Sequence, residues 1–169
     1  MYLYILEKIN FINTQTLTKS MPTQLGYARQ GSVTKQMKYV ARQEDVEPEW
    51  LRQQISNGTI IIPANINHKK LHPIGIGKGL RTKINANIGA SKIRAGIAEE
   101  LKKLEYCIKY GADTAMDLST GGNLNVIRQS IIDESPITIG TVPTYQDVEE
   151  ANGKIENIKA EDWLDVIEL

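Results

Sequence analysis

Several groups of residues in this chain could do chemistry by type and spacing. Asn87, Met116 with Asp117 and Ser119, and Tyr145 each follow a short apolar segment, and Asn87–Met116 and Met116–Tyr145 are both 29 residues apart. Side chains recurring in this way at strand ends would line the mouth of a ligand site. His68 and His72 have the i, i+4 spacing of helical metal ligands. Pro73 and the lack of a helical pattern around them argue against that use, and no third ligand lies nearby. Gly75-Ile-Gly77-Lys-Gly79 resembles a fragment of a phosphate-cradling loop. The strand-before, helix-after context is missing, so a flexible lead-in to the next strand is the simpler reading. Asn65 and Asn67, beside His68, are more polar than a connector requires, and a hydrogen-bonded tight turn accounts for them equally well. Cys107 is the single cysteine; it falls on a helix flank with no basic residue placed to lower its pKa, which makes it a structural thiol.

The elements that must position these residues follow from periodicity. A 29-residue interval is the length of a strand, a helix and two loops, the signature of parallel strands joined by crossovers. The pattern predicts strands near 82–88, 114–119 and 137–142. In the first, Lys83, Asn85 and Asn87 share one face and Ile84, Ala86 and Ile88 the other. Ser91 is placed to cap a helix carrying Ile93, Ile97, Leu101, Leu104 and Ile108, which Gly111 ends. Leu124, Ile127 and Ile131 form the stripe of a second helix, stopped before Pro136. Further helices are expected through Val148, Ala151 and Ile155, and through Trp163, Leu164 and Ile167.

Upstream, Thr34 caps a helix with Met37, Val40 and Ala41 on one face. Pro48 opens a second helix through Trp50, Leu51 and Ile55, which Gly58 closes. Thr59–Pro63 is a short apolar strand. Residues 1–20 read as a poorly patterned extension, with Met21 as the expected start, 21–80 as a small amino-terminal α/β domain and 81–169 as three strand–helix units. A closed (β/α)8 barrel needs eight such units. The expected fold class is therefore α/β, a small amino-terminal domain followed by the first three βα units of an incomplete (β/α)8 barrel. The pattern stopping inside a helix supports that over a small open sheet.

Composition narrows function by exclusion. Twenty basic residues balance twenty acidic ones, so no net field favours nucleic acid or membrane surfaces. No apolar run is long enough to span a bilayer, and one cysteine excludes an internal disulfide, pointing to a reducing, cytoplasmic setting.

Five stretches together resemble one family: Tyr27-Ala-Arg-Gln-Gly31, Ile62-Pro-Ala-Asn-Ile-Asn-His68, Lys83-Ile-Asn-Ala-Asn-Ile-Gly89, Gly111-Ala-Asp-Thr-Ala-Met-Asp-Leu-Ser-Thr-Gly121 and, after Ser135-Pro136, Ile139-Gly-Thr-Val-Pro-Thr-Tyr145. Their order and spacing over 21–169 are similar to the amino-terminal portion of the phosphomethylpyrimidine synthases of thiamine biosynthesis. That resemblance implies a radical S-adenosylmethionine enzyme. A [4Fe-4S] cluster would convert 5-aminoimidazole ribonucleotide to 4-amino-5-hydroxymethyl-2-methylpyrimidine phosphate, with zinc as a further metal and a homodimer as the assembly. It puts Asn87, Met116 and Tyr145 in the substrate pocket and assigns no catalytic residue in this chain. The family commonly has Asn where this chain has Ala90 and an apolar residue where it has Thr144. The cysteine triplet that holds the cluster and the zinc-binding histidines have no counterpart, and Cys107 alone cannot replace three thiolates. A chain with these features is either a part of the synthase that cannot do radical chemistry alone or a truncated, non-catalytic ligand-binding or partner protein.

Overall fold

The computed structural model describes residues 23–94 and 96–168; the extension at 1–20 and the start at Met21 lie outside them. The described chain opens with three short helices, α1 (Gln24–Arg29), α2 (Lys35–Gln43) and α3 (Pro48–Ser56). The expected punctuation is in place. Thr34 Oγ1 accepts the Met37 N–H at 3.1 Å, Pro48 sits in the first turn of α3, and Gly58 leaves that helix with φ +75°. Met37, Val40 and Ala41 of α2 and Leu51 and Ile55 of α3 meet Ala28, Ile60 and Ile62 in one core. Strand β1 (Ile60–Ile61) pairs antiparallel with β2 (Ile76–Gly77), Ile60 opposite Gly77. The Gly75–Gly79 stretch is therefore a paired strand and turn. A Cβ on Gly77 would sit 2.2 Å from the Thr59 carbonyl oxygen, and one on Gly75 2.6 Å from Leu80 Cδ1. Close packing accounts for these glycines, and a phosphate is not needed to explain them.

Strands β3 (Asn85–Ile88), β4 (Thr114–Asp117) and β5 (Thr138–Thr141) form a parallel sheet in the order β3-β4-β5. Each is shorter than its apolar segment. Helices α4 (Ile97–Lys109) and α5 (Leu124–Glu134) connect them, and α6 (Pro143–Glu150), a 3-10 turn (Ile155–Asn157) and α7 (Ala160–Glu168) follow. Ile88, Ala90, Leu104, Ile127 and Ile131 make a second core, flanked by Leu101, Ile137 and Ile139. Helix α4 ends at Gly111, φ +82°, as its stripe requires.

Some expected elements shift. Helix α4 begins six residues after Ser91, with Gly96 as its N-cap, and Ile93 is 95% exposed. Ser91 and Arg94 instead exchange two backbone hydrogen bonds in a tight turn. Gly121 lets that turn lie close, since a Cβ there would be 2.5 Å from the Lys92 nitrogen. Ile155 belongs to the 3-10 turn and is exposed; on α7 it is Val166 that is buried, while Ile167 is not.

Lys83 does not share the mouth with Asn85 and Asn87. It lies before β3, where its ammonium pairs with Glu44 at 2.7 Å, both side chains less than a tenth exposed. Arg81 pairs with Asp113, and Asp113 Oδ2 also accepts the Ile84 N–H at 2.8 Å. His68 Nε2 lies 2.6 Å from the Ser135 carbonyl oxygen, and the His72 N–H donates to Pro136 at 2.9 Å. All these contacts reach the residues just before β3, β4 or β5. The amino-terminal unit and the loop that follows it therefore sit against the amino-terminal ends of the strands, and among the described residues none of these contacts reaches their carboxyl ends.

Candidate functional site at the strand ends

In a parallel sheet in register, alternate residues of neighbouring strands share a face. One face carries Asn85 and Asn87 of β3, Thr114 and Met116 of β4, and Thr138 and Gly140 of β5, because Asn85 is paired with Thr114 and Thr114 with Thr138, and Asn87 with Met116 and Met116 with Gly140. The opposite face, with Ile88, Ala115 and Ile139, packs under the helices. Asn87 is exposed and half-buried Met116 lies beside it. The thioether reaches over β5: a Cβ on Gly140 would be 3.1 Å from both Met116 Sδ and Cε. A glycine at 140 thus makes room for Met116 to form a wall.

Tyr145 is in the first turn of α6, just beyond the end of β5, and is 40% exposed. The equal 29-residue intervals therefore mean different things. Asn87 and Met116 are register partners, whereas the partner of Met116 is Gly140, and Tyr145 comes from the segment that follows. The second unit is the shorter one: α5 has 11 residues against 13 in α4, and the long turn before α4 has no equivalent. All three residues are at the carboxyl edge of the sheet, but only two stand side by side in the ladder.

Asp117 and Ser119 also reach that edge, though not the open face. Asp117 pairs with Ile88 and is 3% exposed on the helix side. Its Oδ1 accepts from the Ser119 N–H at 3.0 Å and from the Ser119 hydroxyl, while Ser119 Oγ accepts the Ala90 N–H at 2.9 Å. On the other side Lys103 Nζ donates to the Gly89 carbonyl at 2.8 Å and to Glu100. Gly89 itself lies against the backbone of Leu118, 2.7 Å from where a Cβ would be. The exit of β3 is clamped from two directions, which fixes the backbone that carries Asn87.

A hydrogen-bonded row underlies the open face. Thr114 Oγ1 donates to Asn85 Oδ1 at 2.7 Å, and Asn85 Nδ2 donates to Asn87 Oδ1 at 3.1 Å. Asn85 and Thr114 were legible as register partners, since they too are 29 residues apart, but neither ends an apolar segment and so neither stood out.

The other candidates resolve into structural roles. Asn65 Oδ1 accepts the Asn67 N–H at 2.8 Å, the tight turn that competed with a functional reading. The buried His68 ring is committed to Ser135. Cys107 faces Ile84, Ala86, Tyr106 and Tyr110, and burial pushes its thiol above the usual range, away from the thiolate a nucleophile or metal ligand needs. Among the described residues no three His, Cys, Asp or Glu side chains are grouped to hold a metal ion, and no helix is long and apolar enough to cross a membrane. The sole thiol cannot ligate an iron–sulfur cluster, so the residues present do not fit that group.

Compared with known protein families, residues 23–169 match the family described as Radical SAM ThiC.

Proposed function

The chain belongs to the radical SAM ThiC family, and from that membership we propose that it forms the substrate-holding start of a phosphomethylpyrimidine synthase, the enzyme that makes the pyrimidine half of thiamine. Family membership carries S-adenosylmethionine and an iron–sulfur cluster as the cofactors of the chemistry in general. In this proposal the strand-end face of β3 and β4, with Tyr145, receives 5-aminoimidazole ribonucleotide, and the three-stranded sheet is the beginning of a (β/α)8 barrel, in which loops at the carboxyl ends of the strands build the site.

The observation that carries the reading is the register pairing of Asn87 with Met116 toward the carboxyl ends of strands whose amino-terminal ends are covered. Asn87 offers an amide for hydrogen bonding, Met116 an adaptable apolar wall held in place over Gly140, and Tyr145 a hydroxyl and an aromatic side. These groups can bind and orient a small polar ring. None can generate a radical, and with a single cysteine these 169 residues contribute binding and positioning only. The cluster supplies the one-electron chemistry when bound, through thiolates that this sequence does not contain.

Titration of 5-aminoimidazole ribonucleotide into the chain, followed by amide chemical shifts, tests the assignment. Shifts concentrated at 85–90, 114–121 and 138–146 are expected. Shifts centred on Gly75–Gly79 or on the Asn65–His68 turn would contradict it.

A further inference from the structure

We infer that Thr114 and Asn85 are positioning residues that orient the Asn87 amide as a hydrogen-bond donor, so that the ligand atom facing Asn87 is an acceptor. The inference rests on the reading of Asn87 as a substrate contact and deepens it. A side-chain amide has two different ends, an oxygen that only accepts and a nitrogen that only donates. Which end meets a ligand is set by what holds the other. Asn85 Nδ2 donates to Asn87 Oδ1 at 3.1 Å, and Asn85 is itself oriented because its Oδ1 accepts from Thr114 Oγ1 at 2.7 Å. The direction of the row is Thr114 to Asn85 to Asn87. Reversing it would turn Thr114 into an acceptor and require a new home for its hydroxyl proton. The register neighbour of Thr114 on β5, Thr138, makes no hydrogen bond with it as the two side chains stand.

With Asn85 holding Oδ1, the Nδ2 end of Asn87 is the one the relay offers to a ligand. An aminoimidazole ribonucleotide presents an unprotonated ring nitrogen and ribose oxygens as acceptors, and an exocyclic amine as a donor. The relay selects the first kind and disfavours placing the amine against Asn87, because two donors would face each other across a site closing on its ligand. Asn85 and Thr114 thus choose the binding orientation of the ring without touching it.

Asn85→Asp is the discriminating variant. A carboxylate at 85 cannot donate, and it draws the Asn87 nitrogen toward itself and leaves Oδ1 facing the ligand. Calorimetry with 5-aminoimidazole ribonucleotide should show affinity falling at least about tenfold, the loss of one good hydrogen bond, and as far as in Asn87→Ala, although Asn87 is intact. Thr114→Val should weaken binding in the same direction, and Thr114→Ser should restore it. Wild-type affinity in Asn85→Asp, with its circular dichroism unchanged, would overturn the relay. If the unmodified chain shows no binding, the assignment of the site has failed. The relay is then decided by NMR on the free protein: scalar coupling across the hydrogen bond from Asn85 Nδ2 to Asn87 Cγ supports it, and coupling in the opposite sense, or none, refutes it.

Discussion

Replacing Lys83 by Met should cost far more stability than its charge alone suggests. Its ammonium is 2.7 Å from Glu44 Oε1, with the two side chains 6% and 7% exposed. Glu44 Oε2 also accepts the Arg81 N–H at 2.8 Å, and Lys83 Nζ donates to the Arg81 carbonyl. Both charges are therefore desolvated, and each is satisfied by the other and by backbone. Removing one leaves a buried carboxylate with half its partners, at a cost of about 3–5 kcal/mol. Removing both, as Lys83→Met with Glu44→Gln, should recover most of that, because the neutral amide oxygen introduced by the second substitution can still accept the Arg81 N–H. Lys70 and Glu134 are an internal control: they are equally close at 2.7 Å, but 52% and 60% exposed. Breaking that pair should cost under about 1 kcal/mol. Urea unfolding at neutral pH, followed by the fluorescence of Trp50 and Trp163, measures all four proteins. Equal losses for Lys83→Met and Lys70→Met, or a double variant no better than the single one, would refute burial as the source of the cost.

Gly89→Ala should destabilise the chain by about 1–3 kcal/mol, since φ is +156° and the new Cβ would meet the Leu118 backbone at 2.7 Å; a thermal midpoint unchanged from wild type would contradict the clamp. Asp147 is 2% exposed, and neither of its carboxylate oxygens has a hydrogen-bond partner among the described residues. Burial first, then the charges of Glu150 and Asp162, raise its pKa. A raised folded pKa means the native state holds the proton longer, so stability is lost as pH rises from the ordinary aspartate range through the folded value. Asp147→Asn should accordingly stabilise at pH 7 by about 1 kcal/mol, and the gap should close near pH ~3.5, below the ordinary aspartate value. Asp113 has the opposite sign: burial raises its pKa, but the hydrogen bonds from Arg81 and Ile84 and the charges of Arg81 and Lys83 outweigh it and hold the carboxyl below its ordinary value. Its contribution is present above the unfolded pKa and lost as pH falls through the folded one, so acid unfolding of Asp113→Asn should have a flatter limb than that of wild type.

Much of this architecture could be read from local pattern. The cap at Thr34, Pro48 in the first turn of α3 and the stop at Gly111 are short-range effects, and each appears where the residues dictate; of the stripe expected on α4, Leu101 and Leu104 reach the core while Ile97 and Ile108 stay exposed. Contacts made at long range were not legible in the same way. Lys83 alternates correctly with Asn85 and Asn87, yet Glu44, which decides its environment, is 39 positions away. Asp117 looked like a mouth residue because it adjoins Met116; register with Ile88 turns it to the helix side. Ser91 is a good cap by type, but the backbone bonds to Arg94 and the opening left by Gly121 take it into a turn. At the candidate site the residue types and their place at strand ends were visible, while the pairing of Asn87 with Met116 came from the register of the sheet. Tyr145 shared the interval while reaching the edge by another route, through the first turn of α6.

Asn87, Met116 and Tyr145 together should form one ligand-binding edge. Calorimetry of 5-aminoimidazole ribonucleotide against the 169-residue chain, repeated with Asn87→Ala and Tyr145→Phe, addresses it most directly. Saturable one-to-one binding in the micromolar range is expected, weakened about tenfold or more in each variant. Binding of equal strength in all three proteins, or none in the unmodified chain, would contradict it.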